Sequence, residues 1–593
     1  MENNNQLSKS LKSFNNDLKP NKFNDTMVIC CSIFMIIPII NLILGWIGVK
    51  HSYPKEKTDY KEYRKVCWAA FYIGAIELAG GIISLICFLI HGDLGVTFNT
   101  NAKISLTINF SIFILVIIGS CILLWKIKLV GKGYKYLFVL YTLFWIPLML
   151  LRENSGTLQN NIDNSVSWIA LGAYGAIGII IRPLADIMNW GTRSRKTFIY
   201  FSLAAQIPAY IVTVIVPCTA TSIIQSVVVG LGASAIGTYQ LFFNEQYGKA
   251  KTFLTVSILS IPPLLADFIS SPMTNIFSSA AYIGTTESGA AQYDVNVLKW
   301  MWLIGAVIAI IVLIMAFFLR EDRSLLFRDN ENKTQIHGKL LIWYFILLLI
   351  LGSIIGFAKF ACSGTATVAH IELLEALAEW PTQAYIYKGY LSVIFSVAQL
   401  IGGLLVGLVL VKKMNKLAIF GLGAGLWAAY AIISMFAINP YVYLAIHFVN
   451  GFAFGILYNF VLAFALGLCF KTKWVTPMGI YQAVLSIGIM FATSISSWLR
   501  NTMEGATTKA YREEVLYVIY GVVAAMIVVA FFIYMAMYFL EKKYYKEHPD
   551  KAPKKDAHNV EWHKKDSKPK EENVNVKKIN FLHKFNYQYV IRK

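Results

Sequence analysis

The sequence predicts an all-α polytopic membrane protein. Hydrophobic residues make up 57% of the 593 residues and charged residues only 15%, and long apolar runs recur along the chain. A helix needs about 20 apolar residues to cross the ~30 Å hydrocarbon core, and many of these runs reach that length. Backbone polar groups in lipid must be paired within their own segment, so continuous apolar runs indicate helices, whereas a barrel would show short alternating segments.

The positive charge lies between the apolar runs. The net charge is +20, and Lys and Arg are concentrated in the connecting loops and at the C-terminus. Basic loops are retained in the cytoplasm, so this pattern indicates membrane topology and not nucleic-acid binding. The eight cysteines lie mostly inside apolar runs and form no Cys-x-x-Cys pair, which is typical of free, buried thiols.

The N-terminal region leaves two arrangements open. Residues 1–25 form a polar lead without the features of a signal peptide, so we expect the next apolar run to be retained. That run, 26–48, contains Pro38 and precedes a basic loop that we place inside. Either the run spans the membrane and the N-terminus lies outside, or Pro38 turns the run back and the N-terminus stays inside. Runs 66–90, which contains Glu77, and 104–125 follow, so residues 26–128 predict two or three extra N-terminal membrane helices.

From Lys126 onward, basic loops alternate with loops that carry little positive charge. This alternation assigns the basic loops to the cytoplasm, including a long linker at 321–339 and a C-terminal tail at 541–593. The predicted spans are twelve, at about 135–152, 165–181, 197–217, 219–243, 252–271, 298–319, 340–359, 386–411, 417–437, 441–468, 477–498 and 514–540.

The loop between the second and third of these spans contains a motif. Residues 178–200 read GIIIRPLADIMNWGTRSRKTFIY, in which Asp186 is followed by Arg193, Arg195 and Lys196. The pattern resembles the loop between the second and third helices of the major facilitator superfamily. In that family the loop runs Gly, three residues, Asp, Arg, any residue, Gly and two basic residues.

The resemblance covers about residues 133–540. It implies a twelve-helix fold of two six-helix bundles, 133–320 and 340–540, which move against each other around a substrate site near the midplane. It also implies that Asp186, Arg193, Arg195 and Lys196 control the conformational change. The chain departs from the family pattern at Arg182, where the first glycine is expected, and at Asn189, where the second is expected.

A glycine run on the fourth span is a second point of resemblance. It reads Gly230-Leu-Gly232-Ala-Ser234, but the family arginine four residues earlier, commonly tied to proton coupling, is Ser226 here. By internal repeat, His447 on the tenth span occupies the position of Ser226. His447 is therefore either a coupling residue, since histidine titrates near physiological pH, or a neutral histidine hydrogen-bonded in a bundle core.

The resemblance assigns the substrate path mainly to the first, fourth, seventh and tenth spans. Arg152 and Lys359 lie near the outer ends of the first and seventh spans, and such a pair resembles the phosphate-holding residues of organophosphate exchangers in the superfamily. Alternatively, both side chains snorkel to lipid headgroups. Asp267, near the outer end of the fifth span, is either a second coupling residue or a solvated carboxylate. The predicted substrate-binding residues are Arg152, Gln225, Tyr239, Gln240, Lys359, Asn450, Tyr458 and Asn459.

Small residues and an outer segment complete the prediction. Residues 367–380 predict a short amphipathic helix on the outer surface, with His370 off its glutamate face. Glycine pairs four residues apart indicate tightly packed helices, at Gly352 and Gly356, Gly403 and Gly407, and Gly421 and Gly425.

These features lead to the hypothesis of a secondary active transporter in the cell membrane. It would move a small organic solute by symport or antiport with a proton or another ion, and an anionic or phosphorylated solute fits the basic pair. The sequence has no GxxxxGK[ST] phosphate loop, and we expect no enzyme activity, cofactor or metal. The basic tail, on the cytoplasmic side, is expected to contact anionic lipids. Two alternatives stay open: a lipid-handling protein such as a flippase or glycosyltransferase, and a non-transporting sensor on a transporter fold.

Overall fold

The fold is given by a computed structural model. Glu77, most of residues 367–380 and the tail beyond residue 549 lie outside the residues it describes. The described residues are 38–51, 67–72 and 133–549, apart from gaps at 163–166, 249–250, 286–290, 323–324, 327–332, 364–366, 368–369, 371–383, 473 and 504–508, together with residues 27, 30–31, 64, 74–75 and most of 111–123.

Twelve helical segments, α1–α12, follow one another between residues 134 and 547, and each overlaps a predicted span. Eleven segments of the described chain are long and apolar enough to cross a membrane. The remaining helix of the twelve is α2, which contains the charged residues Arg182 and Asp186. The prediction of an all-α polytopic membrane protein is confirmed. The helices are α1 (Tyr134–Ile162), α2 (Ser167–Thr192), α3 (Lys196–Ile215), α4 (Thr219–Ala233 and Ala235–Phe243, ending in the π turn Asn244–Gly248), α5 (Thr252–Leu259 and Ile261–Ala281), α6 (Val295–Phe317), α7 (Gly338–Ser363), α8 (Ala384–Leu405, continuing through the π turn Val406–Leu410 and Val411–Lys413), α9 (Lys416–Met435), α10 (Pro440–Leu466), α11 (Pro477–Met503) and α12 (Lys509–Glu547).

Local chemistry explains where the helices start and break. The second part of α5 begins at Ile261, so Pro262 and Pro263 fall in a first turn, where a missing N–H leaves no intrahelical bond unmade. In α4, the hydroxyl of Ser234 donates to the carbonyl of Gly230 at the break, a bond that bends helices. Side-chain caps accept backbone N–H groups at the starts of three further helices, from Asp294 for α6, Asn415 for α9 and Asn439 for α10.

Buried apolar side chains form two large clusters. One is drawn almost entirely from α1–α6 and includes Trp302, and the other mainly from α7–α12 and includes Trp427. The two clusters interlock at a few positions, because Phe253 of α5 belongs to the second cluster and Leu400 of α8 to the first. The two halves of the chain therefore pack directly against each other through α5 and α8.

Four short strands, which we did not predict from the sequence, lie between helices. Strands β1 (Tyr282–Thr285) and β2 (Ala291–Tyr293) pair antiparallel between α5 and α6. Strand β3 (Thr334–Gln335), in the linker, pairs in parallel with β4 (Leu468–Cys469), which follows α10. The linker is thus attached to the second half of the chain by backbone hydrogen bonds.

The predicted tail begins as a helix. Helix α12 continues to Glu547, so residues 541–547 belong to it. In this segment, the carboxylate of Glu541 forms an ion pair with the ammonium of Lys416 at the start of α9, with an N–O distance of 2.5 Å. The ion pair holds the end of α12 against the same side of the protein as the linker.

The N-terminal region contains a helix from Pro38 to His51. Met27 and Cys31 lie in one apolar cluster with Val49 and Cys67. A straight helix would separate Met27 from Val49 by roughly 33 Å, so the described residues 27, 30–31 and 38–51 do not form one straight helix. Residues of the third N-terminal run, including Val116, pack against the first large cluster.

Two of the three glycine pairs lie at close helix contacts. A Cβ on Gly356 would lie 2.7 Å from the carbonyl oxygen of Leu485 in α11, and one on Gly407 would lie 2.6 Å from that of Phe253 in α5. At Gly425 there is nothing within 4 Å of such a Cβ, so the prediction of close packing there is wrong. Gly425 lies on an exposed part of α9, where the apolar neighbours expected in a membrane would be lipid tails.

Candidate functional site

The two halves meet along two pairs of helices. Helix α2 packs against α11, where a Cβ on Gly175 would lie 2.6 Å from the backbone nitrogen of Met490. Helix α5 packs against α8, where the hydroxyl of Ser257 donates to the carbonyl of Gly403 and accepts from the backbone N–H of Gly407. Polar residues on or beside these helices are the candidates for a site between the halves. We call the side of the protein that carries the α2–α3, α4–α5, α6–α7, α8–α9 and α10–α11 connections the basic side.

On the basic side, three residues of the predicted motif come together. The guanidinium of Arg195 is 1% exposed and donates twice to Glu245 of the α4 π turn, at 2.7 and 3.1 Å. Its Nη1 lies 3.6 Å from the carboxylate of Asp186. Lys196 donates to the carbonyl of Leu319 at the end of α6. The network therefore ties the α2–α3 loop to α4 and α6.

Asp186 extends this network to the second half of the chain. Its Oδ2 accepts from the backbone N–H of Thr476 at 2.9 Å and from the hydroxyl of the same residue. Thr476 directly precedes α11, and its hydroxyl oxygen accepts from the backbone N–H of Gly479 at 3.0 Å, so Asp186 holds the residue that caps α11. A Cβ on Gly479 would clash with Asp186 Oδ2, so a larger residue there would displace the carboxylate.

Two other positions of the motif loop, Arg193 and Asn189, lie outside this ion-pair network. Arg193 is exposed and is not part of the network. It has a φ of 51°, in the left-handed region, at the end of α2. Asn189, where the family has a glycine, is fully buried and accepts from the backbone N–H of Phe198 at 3.1 Å, which satisfies a donor in the first turn of α3.

Replacing Arg193 with glycine is expected to stabilise the protein by about 1 kcal/mol, because glycine adopts the left-handed region without the clash of a Cβ. Equilibrium unfolding in mixed micelles measures the change. Arg193→Ala is the matched control, since alanine removes the same charge and keeps the Cβ. Equal stabilisation by both substitutions would contradict the backbone explanation.

Arg182 lies between the two halves. It is 5% exposed, and its Nη1 donates across the interface to the carbonyl of Gln482 in α11. Arg182 stands where the family has a glycine, so it has a large side chain at a position of expected close helix contact. The contact is made one turn away instead, where a Cβ on Gly178 would meet Ser486 of α11.

A group of tyrosines lies around the same level of the interface. Tyr239 of α4 stacks against Tyr141 of α1 with a ring-centroid distance of 4.2 Å. Tyr458 of α10 is half-buried and stacks on Phe454 at 5.2 Å. Tyr481 of α11 is fully buried beside Gly352 of α7. The predicted residues Tyr239 and Tyr458 thus belong to this group of tyrosines but come from opposite halves of the chain.

The structure brings Arg152 and Lys359 together. The guanidinium of Arg152 lies 5.6 Å from the ring centroid of Phe360, and the ammonium of Lys359 lies 5.4 Å from the same centroid. Lys359 also lies 4.8 Å from the ring centroid of Phe454. Both basic side chains are half-buried. They come from α1 and α7, and so from opposite halves.

Asp267 lies close enough to Lys359 to interact with it electrostatically. Its carboxylate accepts from the hydroxyl of Ser396 in α8 and from that of Ser271 at 3.0 Å. It also attracts the ammonium of Lys359 electrostatically, whereas Arg152 repels it. Asp267 is half-buried at the contact of α5 with α8, so of the two environments predicted for it, the solvated outer end of a span does not describe it.

Four other predicted residues lie elsewhere in the bundles. The amide of Gln225 donates to Thr213 of α3, within the first half. Asn450 accepts from the indole N–H of Trp427 in α9, within the second half. Asn459 is buried against Gly403 of α8, and Gln240 is buried in α4. Gln225 and Asn450 are therefore not brought to the interface.

His447 lies in an aromatic cluster inside the second half. Its Nδ1 is 3.4 Å from the hydroxyl of Tyr430, and its ring contacts Phe395 and Tyr443. His370, which was expected near a surface helix, is fully buried here and stacks on Tyr443 at 3.8 Å. This environment agrees with the alternative of a histidine hydrogen-bonded in a bundle core.

The second half of the chain matches a known protein family. Residues 381–584 match the family model of the Major Facilitator Superfamily. This match lies in the second half and covers about a third of the chain. The predicted family is thereby confirmed, although the match continues into the tail, beyond the end at residue 540 that the sequence motifs suggested. A comparison with curated proteins finds no match.

Several solved structures of transporters have a similar fold. The human organic anion transporter MFSD10 (TETRAN) is 12% identical with a TM-score of 0.47, over 68% of this chain and 98% of that one. A bacterial homologue of the iron transporter ferroportin, in an outward-facing state with soaked iron, is 12% identical with a TM-score of 0.49, over 69% and 99%. FucP, a transporter of the same superfamily in the outward conformation, is 14% identical with a TM-score of 0.46, over 67% and 99%.

Reasoning from the sequence missed several residues of this candidate site. Arg182 was seen only as a departure from the glycine pattern, and Tyr481 and Thr476 were not singled out. The one available signal was an arginine inside an otherwise apolar run, since charged residues in membrane helices are usually functional. Glu245, the partner of Arg195, carried no such signal because it lies in a polar loop.

Proposed function

We propose that this protein is a secondary active transporter that moves a small organic anion across the cell membrane by alternating access, with its basic side facing the cytoplasm. The observation that supports this most directly is the meeting of Arg152 and Lys359, from opposite halves, at the ring of Phe360. A solute held between them contacts both halves at once. Binding at such a place couples the solute to the movement of one half against the other.

The charges at this place favour an anion. Arg152 and Lys359 carry two positive charges and Asp267 carries one negative charge, which leaves a net charge of one positive unit. Like charges in a low-dielectric setting repel, and an anionic group between them offsets the repulsion. A guanidinium also offers a planar pair of donors that matches a carboxylate or a phosphate.

Asp267 is the residue we assign to coupling with a proton. Protonation of its carboxylate removes the negative charge next to Lys359 and raises the net charge of the place to two positive units. The anion and the proton therefore bind with mutual reinforcement, which is the requirement of symport. His447 is a weaker candidate, because its ring is enclosed by Phe395, Tyr430 and Tyr443.

Uptake into proteoliposomes tests the proposal. We expect purified protein to accumulate at least one radiolabelled carboxylate or phosphate ester from a panel, and to do so faster with a pH gradient that is acidic outside. Arg152→Gln and Lys359→Gln are each expected to lower the initial rate at least about tenfold, because each substitution removes one donor and one charge from the anion. Lys413→Gln, at an exposed lysine of the α8–α9 connection, is the control and should transport at the wild-type rate.

Three results would count against this assignment. Full transport by both Arg152→Gln and Lys359→Gln removes the anion site. An undiminished response of Asp267→Asn to the pH gradient removes the coupling role of Asp267. No uptake or counterflow of any solute in the panel favours the alternatives of a sensor or a lipid-handling protein.

A further inference from the structure

Arg182 carries a charge that the described part of the chain does not balance. The side chain is 5% exposed and sits between α2 and α11. Its Nη1 donates to the carbonyl of Gln482, while its buried Nε has no hydrogen-bond partner among the described residues. A guanidinium stays charged at every physiological pH, so its charge cannot be removed by losing a proton.

The groups around Arg182 are phenols. The titratable side chains that act on it are those of Tyr174, Tyr458 and Tyr481, and they include no carboxylate of the described residues. Asp186, one turn further along α2, is already engaged by Thr476 and Arg195. A carbonyl and phenol hydroxyls solvate a cation but do not neutralise it, so the guanidinium has no charged partner among the described residues.

A buried, unpaired charge is costly and is rare unless a partner arrives from outside the chain. A second group at the same place is also unsatisfied, since the buried hydroxyl of Tyr481 has no hydrogen-bond partner among the described residues. Arg182 and Tyr481 are neighbours, because each acts on the other electrostatically. Together they offer an N–H and an O–H donor beside a fixed positive charge, which matches the oxygens of a carboxylate or a phosphate.

The position of Arg182 links it to the basic pair. Tyr174, two turns before Arg182 on α2, packs on Phe360 at a ring-centroid distance of 5.7 Å, and Phe360 is the ring that Arg152 and Lys359 share. Tyr458 stacks on Phe454, the ring nearest to Lys359. Eight residues of helix separate Tyr174 from Arg182, or about 12 Å along the axis of α2. Arg182 therefore lies closer to the basic side than the pair does.

We propose that Arg182, with Tyr481, forms a second anion-binding site, which takes the carboxylate or phosphate of a small solute about two helical turns closer to the basic side than Arg152 and Lys359. The site lies at the contact of the two halves, so an anion bound there holds α2 and α11 together. It does not require the first site to be occupied. A solute that enters from either side meets a fixed positive charge along its path.

Melting temperatures of the purified protein in nonionic detergent test this site without a transport assay. The probes are inorganic phosphate and a short dicarboxylate, each added to an otherwise chloride-poor buffer. We expect one or both to raise the melting temperature of the wild type by about 2 °C or more. Arg182→Met should melt higher than the wild type without the probes, because it removes an unpaired charge, and should lose the response to them. Lys413→Met, at an exposed lysine, should keep the wild-type response.

The outcomes separate binding from a structural role. If Arg182 serves only to tie α2 to the carbonyl of Gln482, Arg182→Met melts lower than the wild type in the absence of the probes, and the proposal is overturned. It is also overturned if neither probe stabilises the wild type or if Arg182→Met responds as the wild type does. Should Arg182→Met fail to fold, Tyr481→Phe decides, since loss of one hydroxyl should weaken the response and an unchanged response contradicts the site.

A double variant keeps this site distinct from the proposed transport site. Arg152→Gln combined with Lys359→Gln should retain the response to the probes that Arg182 confers. Loss of the response in the double variant while Arg182→Met still responds would assign the anion to the basic pair alone. Transport that survives in the double variant, together with a response that depends on Arg182, would leave the second site standing and remove the first.

Discussion

Replacing Arg195 with alanine is expected to lower the free energy of unfolding by about 3–5 kcal/mol. The guanidinium is 1% exposed, donates twice to Glu245 and lies 3.6 Å from Asp186. Alanine removes the cation that lies between the two buried carboxylates and leaves, among the described residues, only the more distant attraction of Lys333. The expected loss of stability therefore comes from the uncompensated carboxylate charge and exceeds that of one ordinary hydrogen bond. Equilibrium unfolding in mixed micelles measures it.

Two further variants show whether the carboxylates cause the loss of stability in Arg195→Ala. Arg193→Lys is the control, because Arg193 is exposed and lies two residues away in the same loop. It is expected to change stability by less than about 0.5 kcal/mol. Adding Glu245→Gln to Arg195→Ala removes one stranded charge and should recover part of the loss, as a double-mutant cycle would show. An Arg195→Ala protein within about 1 kcal/mol of the wild type would contradict a buried ion network.

Replacing Gly175 with valine is expected to separate the two halves along α2 and α11. A Cβ at this position would lie 2.6 Å from the nitrogen and 2.7 Å from the Cα of Met490, and backbone atoms cannot rotate away. Overpacking of this kind costs about 2–3 kcal/mol, which corresponds to a shift of roughly 30- to 150-fold in the equilibrium between joined and separated halves. Transport should fall accordingly, because alternating access requires both arrangements.

Disulfide formation reports the separation directly. A Cβ on Gly172 would lie 2.8 Å from the hydroxyl oxygen of Ser494, so the pair Gly172→Cys and Ser494→Cys should cross-link quickly in the wild-type background. With Gly175→Val added, cross-linking should slow by at least tenfold. Gly425→Val is the matched control, since nothing lies within 4 Å of a Cβ at Gly425. Equal cross-linking rates in all backgrounds would show that α2 and α11 tolerate the added side chain.

The sequence predicted some members of the candidate site and missed their partners. The motif loop predicted Asp186, Arg195 and Lys196 as a group, and the structure places them in one network. It could not predict Glu245 or Thr476 as their partners, because those residues lie 50 and 290 positions from the residues they bind. Similarly, Arg152 and Lys359 were paired through the expected repeat, while Asp267 was not connected to them.

Helix rotation explains why several predicted residues do not reach the interface. A helix that is apolar on all sides has no polar stripe, so its sequence does not indicate which face meets a neighbour and which meets lipid. Gln225, Asn450 and His447 lie on helices assigned to the substrate path, but their side chains face neighbours within one bundle. Gly425 faces outward for the same reason.

By itself, the sequence determined the number and order of the helices from residue 134 to residue 547, because a bilayer imposes a length on each apolar run and pairs its backbone locally. It also determined which connections are basic, since charged loops stay outside the hydrocarbon. Only the tertiary structure decided which polar groups contact each other. Arg182 and Gln482 are 300 residues apart in the chain, and their contact depends on how α2 and α11 are rotated and how closely they approach. That geometry comes from the packing of small residues across the two halves, which no local pattern encodes.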